Sequence, residues 1–126
     1  MSDNPISVEY AAGFVDADGC ITGTLNGSGN MAWELNVVQA DCNDPGGELM
    51  TRFQDRWGGN VCKRARRQEH HSDQWKWKVQ GVEAAIAIND MYHHLTVKKD
   101  KATDALECLM SMPKIRRIVQ RVGEPR

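Results

Sequence analysis

Two carboxylates and a glycine stand together at the end of Tyr10-Ala11-Ala12-Gly13-Phe14-Val15-Asp16-Ala17-Asp18-Gly19. The residues before them are small or apolar. They read as a helix that begins near Ser7, a hydroxyl N-cap, and stops at Gly19. Acids are electrostatically misplaced there, because a helix C-terminus carries partial negative charge and favours cations. Chains keep such an arrangement mostly where something positive binds, so a divalent metal is the first chemistry to consider. Carboxylate oxygens are hard ligands of the kind a divalent cation takes. Gly13 adds a second oddity, since glycine inside a helix costs about 1 kcal/mol relative to alanine. With Ala11 and Ala12 it makes a side-chain-poor patch where another backbone can come close.

The other reactive side chains carry weaker signals. Cys20, Cys42, Cys62 and Cys108 are widely spaced and form no CxxC pair, so free thiols are expected. Cys42, Cys62, His70 and His71 would have to converge to make a zinc module, and they lack the usual paired spacing. Net charge is −1, which by itself argues against nucleic acid. Its distribution argues the other way. Residues 1–55 hold nine acids and one base, whereas residues 56–126 hold fifteen bases and eight acids. A molecule so polarised can present an anion-binding face. No apolar run approaches the roughly 20 residues of a membrane span, and no signal peptide is evident, so no membrane partner is expected.

Stepping along the chain, the elements that must position these groups alternate. After the first helix, residues 20–25 are β-like, 26–30 form a turn, and 31–41 alternate with Trp33, Leu35 and Val37 on one face. Residues 43–47 break the chain. Residues 48–57 form a helix with Leu49, Phe53 and Trp57 as its buried stripe. A second strand pair follows at 61–66 and 74–80, with Trp75, Trp77 and Val79 facing the core. Helices over 82–92 and 99–112 come next, the latter ended by Pro113, and the basic tail at 113–126 holds one more short helix. The order is αββαββαα, an α+β single domain over residues 1–126. One face of the antiparallel sheet is covered by helices and the other is polar. By alternation the polar face carries Thr22, Thr24 and Asn26, then Glu34 and Asn36, then Cys62, Arg64 and Arg66, then Gln74, Lys76 and Lys78.

The stretch Ala11-Ala12-Gly13-Phe14-Val15-Asp16-Ala17-Asp18-Gly19 resembles the signature of LAGLIDADG homing endonucleases, and the αββαββα order fits the same family. Two further segments are similar to it: Leu95-Thr96-Val97-Lys98-Lys99-Asp100-Lys101-Ala102, like the family's lysine segment before a late helix, and Val37-Val38-Gln39, like its strand-end glutamine. The resemblance implies a saddle-shaped sheet with extra C-terminal helices. A single motif implies a homodimer, with Ala12, Gly13 and Asp16 at the seam between two copies of the first helix. Asp16 also reads as structural, capping or orienting the helix end. A two-fold axis there would bring both Asp18 carboxylates together, and two acids so close need cations to stay charged. The resemblance further implies Asp18 and the Ala17 carbonyl as ligands of Mg²⁺ or Mn²⁺, with Asp18, Gln39 and Lys98 as catalytic residues. Lys98 would stabilise transition-state charge and Gln39 would position water.

The implied activity is site-specific cleavage of both strands of a long, near-palindromic double-stranded DNA. The polar sheet face would lie along the major groove, where Arg and Lys suit guanine, Asn and Gln suit adenine, and Glu accepts from cytosine. An intron-borne gene is implied too, with the protein inside the cell beside the genome that carries it. The alternatives are a maturase that binds intron RNA and a DNA-binding module without catalysis.

Overall fold

The computed structural model describes residues 6–65 and 73–123. Helix α1 (Val8–Asp18) opens on Ser7, whose side chain accepts from the Tyr10 N–H at 3.2 Å. Strands β1 (Gly19–Leu25) and β2 (Met31–Ala40) form a hairpin. Helix α2 (Glu48–Trp57) leads to strands β3 (Asn60–Arg64) and β4 (Gln74–Gln80). Helices α3 (Gly81–Met91), α4 (Lys99–Met110) and α5 (Pro113–Gly123) complete the order. The four strands make one antiparallel sheet, ordered β1-β2-β4-β3, so the α+β reading holds.

Helices cover one face of the sheet, with α1, α3 and α4 over β1 and β2 and α2 over β4. The core between the layers holds Val15, Leu35, Val37, Phe53, Trp77 and Ile88, all fully buried. Phe53 joins the two layers, with its ring 4.9 Å from Trp77 and 6.0 Å from Phe14 on α1. Such packing fixes α1 against the sheet, so its C-terminal acids have a defined place. Gly19 makes the sharp exit from α1 possible, because a Cβ there would lie 2.8 Å from the Val15 backbone.

Three sequence expectations shift in detail. The buried stripe of α2 is Met50, Phe53 and Trp57, with Leu49 only half-buried. Both spacings suit a 3.6-residue period. The choice comes from Asp44, a buried acid whose carboxylate accepts from the N–H groups of Leu49 at 2.7 Å and Met50 at 3.3 Å and so sets how the helix enters. Trp75 is half-buried. It covers the β2–α2 loop, packing over Gly47 and donating its ring N–H to Asp41 at 2.6 Å. Pro113 does not end α4, which stops at Met110. Proline lacks a donor that a first helical position would leave unused, and it opens α5 instead.

Candidate active site and nucleic-acid interface

The two acids of α1 have different surroundings. The Asp16 carboxylate reaches the segment before α4, accepting from the N–H of Thr96 at 2.7 Å and of Lys98 at 3.0 Å. The Lys98 ammonium returns to the same helix end, donating to the Asp16 carbonyl at 2.9 Å. A cation at the helix C-terminus is where the macrodipole favours one. These three hydrogen bonds therefore fix Lys98 and settle half of the electrostatic oddity within the chain. Asp18 is the other half. It is exposed, and its carboxylate has no hydrogen-bond or ion-pair partner among the described residues.

Gln39 comes to the same end of the sheet. It stands two residues along β2 from Val37, the partner of Gly19, on the helix-covered side. Its side-chain oxygen accepts from the Ala40 N–H at 3.2 Å, which leaves its amide nitrogen for a ligand. Lys98 thus meets the end of α1 that carries Asp18, and strand register sets Gln39 two residues beyond the partner of Gly19. Ala17 is exposed in the last helical turn, whose carbonyls lack intrahelical donors. No group of three or more His, Cys, Asp or Glu among the described residues can hold a metal. One chain therefore supplies a partial, all-oxygen donor set that fits a hard cation only when other oxygens join it. The four cysteines are free, and His70 and His71, needed for a zinc module, lie outside the described residues.

The expected seam changes in composition. Ala12 is fully buried and packs into the chain's own core, because its side of α1 faces the other helices. Asp16 is occupied by the Thr96 and Lys98 amides, so it acts as a clamp. The exposed face of α1 is Glu9, Tyr10, Gly13 and Ala17. A Cβ on Gly13 would meet nothing within 4 Å in this chain, so no intrachain contact requires glycine there.

The outer sheet face follows the expected alternation. Strand pairing sets Thr24 beside Ala32, Thr22 beside Glu34 and Gln80, and Cys20 beside Asn36, Lys78 and Asn60. Lys76 lies between Val38 and Cys62, and Gln74 between Ala40 and Arg64. Two expectations need revision or fall away. Asn26 is beyond β1, and its side-chain oxygen holds the turn by accepting from the N–H groups of Ser28 at 3.0 Å and Asn30 at 3.1 Å. Arg66 lies outside the described residues.

No protein-family profile and no curated protein matches the sequence. Solved structures do match its shape. The homing endonuclease I-CvuI, in complex with its target in the presence of Ca, superposes with a TM-score of 0.66 at 20% identity, over 92% of this chain and 79% of that one. The LAGLIDADG meganuclease I-AabMI bound to uncleaved DNA gives 0.58 at 15% identity, over 94% of this chain and 39% of that one. The meganuclease I-SmaMI bound to uncleavable DNA gives 0.60 at 14% identity, over 100% of this chain and 46% of that one. The chain has the LAGLIDADG homing-endonuclease fold.

Within this fold Asp16 orients the helix end, as its structural reading expects. Gln80 and Asn60 join the candidate DNA contacts as further polar groups of the face that holds Glu34 and Asn36. The strict alternation of 74–80 was a signal for Gln80. Nothing local signalled the link from Asp16 to Lys98, which spans 82 positions.

Proposed function

We propose that the chain is a site-specific endonuclease of double-stranded DNA that works as a homodimer with Mg²⁺ or Mn²⁺. The observation that carries this reading is the exposed Asp18 carboxylate, without a partner among the described residues, at a helix end where Asp16 and Lys98 are already locked. Asp18 and the Ala17 carbonyl would hold the cation, with DNA phosphate and the second copy's Asp18 completing the oxygen set. Held there, such a cation would supply Lewis-acid activation of water and charge stabilisation at the leaving oxygen of the phosphodiester. Lys98, held against α1, places positive charge where the transition-state phosphate gains negative charge. Gln39 offers its amide nitrogen to orient the attacking water.

The dimer is supported by Gly13. Its helical cost has no return inside one chain, and close backbone approach by a second α1 supplies one. Thr22, Thr24, Arg64, Gln74 and Lys78 have no side-chain partner among the described residues, so they are available for base edges and phosphates. By the same likeness of fold, the gene belongs in an intron and the protein acts beside the genome that carries it.

The test is incubation with a randomised duplex library in Mg²⁺ and in Ca²⁺, with the assembly state measured by sedimentation. Cleavage of a near-palindromic subset in Mg²⁺ by a dimer is expected. Specific capture of intron RNA with no duplex cleaved would contradict the reading and favour a maturase. A species that stays monomeric on DNA would contradict the shared site.

A further inference from the structure

The outer sheet face contains a carboxylate whose oxygens are already engaged. Glu34 on β2 accepts from the Asn36 amide nitrogen at 2.7 Å through Oε2 and from the Gln80 amide nitrogen at 3.1 Å through Oε1. The Lys76 ammonium lies 3.8 Å from Oε2. Lys76 is paired with Val38, so its side chain runs back along the sheet, past the Asn36–Lys78 row, to arrive there. Both charged side chains are mostly covered, at 25% and 23% exposure. Lys78, Arg64 and Gln74 on the same face have no such partners among the described residues.

We infer that Glu34 is a positioning residue that sets base preference without itself reading a base. This rests on the proposal that the sheet face binds DNA. Because both amide nitrogens turn toward Glu34, the carbonyl oxygens of Asn36 and Gln80 turn away from it. Glu34 also draws Lys76 off the surface and cancels its charge. The row that holds Glu34 and Gln80 is therefore rich in acceptors, and Lys78, whose ammonium is unengaged among the described residues, stands one row along, beside Asn36. In the major groove the acceptor row suits an exocyclic amino group, of cytosine or adenine, and disfavours the O6 and N7 acceptors of guanine. On this account Lys76 is withheld from guanine for as long as Glu34 is charged.

The experiment compares target selection from a randomised duplex library by the full-length chain, by Glu34→Gln, and by Glu34→Gln with Lys76→Met. The unaltered chain selects cytosine or adenine on the contacted strand at one base pair in each half-site. Glu34→Gln, which keeps the shape and removes the charge, shifts that pair toward guanine by about tenfold. Its choices elsewhere stay the same, which also reports that the variant is folded. Adding Lys76→Met removes the gain. Unchanged preference at every pair in Glu34→Gln overturns the role of Glu34, as does a guanine shift that survives Lys76→Met. Failure of the unaltered chain to select any sequence overturns the DNA reading itself, so the two failures are told apart.

Discussion

The end of α1 and the outer sheet face are built alike but held differently. Each contains one carboxylate that is saturated by donors and organises its neighbours, Asp16 in the first and Glu34 in the second. Each also leaves polar groups unengaged among the described residues: Asp18 at the helix end, and Lys78, Arg64 and Gln74 on the sheet. The difference is in the donors. Asp16 grips backbone N–H groups 80 and 82 positions away, so its loss must move chain. Glu34 grips side-chain tips, which can turn without moving chain. The helix end is thus rigid by construction, as chemistry at a fixed atom requires. The sheet face can be re-aimed one side chain at a time.

That contrast can be tested by breaking each side. Lys98→Met should lower cleavage of a selected duplex by about a hundredfold while binding in Ca²⁺ persists, because transition-state charge loses its cation. Comparable cleavage by this variant would confine Lys98 to a structural role. Asp16→Ala should cost about 2 kcal/mol in urea denaturation, from two charge-assisted hydrogen bonds. Glu34→Gln should cost less, under about 1 kcal/mol, because the amide keeps one acceptor and the partners are side-chain tips that can turn to water. Equal losses for the two would erase the distinction between a backbone clamp and a side-chain one. Gly13→Ala acts on the protomer in the opposite direction. It should stabilise the dissociated chain by up to about 1 kcal/mol while weakening self-association measured by sedimentation. Stronger self-association would remove Gly13 from the seam.

Much of this organisation was legible in the sequence. Alternation placed Thr22, Glu34, Asn36 and Lys76 on the open face, because a two-residue period leaves only two sides to choose between. The acids at the end of α1 stood out because the helix dipole opposes them there. Ala12 was not legible, since a methyl group suits a buried core and a close seam equally well. The turn at Asn26 was legible from its composition, and its short amide makes that turn rather than adding to the open face. The unequal roles of Asp16 and Asp18 were legible, but the partners of Asp16 needed the fold, because Thr96 and Lys98 arrive from the far end of the chain.

The central claim is that Asp18, the acid without a partner among the described residues, is the one that does chemistry. Its direct test is the rate at which Asp18→Asn cleaves a selected duplex in Mg²⁺, with thermal stability followed on the same sample. Cleavage should fall at least about a hundredfold, and stability should hold or rise by about 0.3–1 kcal/mol as a charge leaves the negative helix end. Cleavage at the original rate by a folded Asp18→Asn protein would contradict the account.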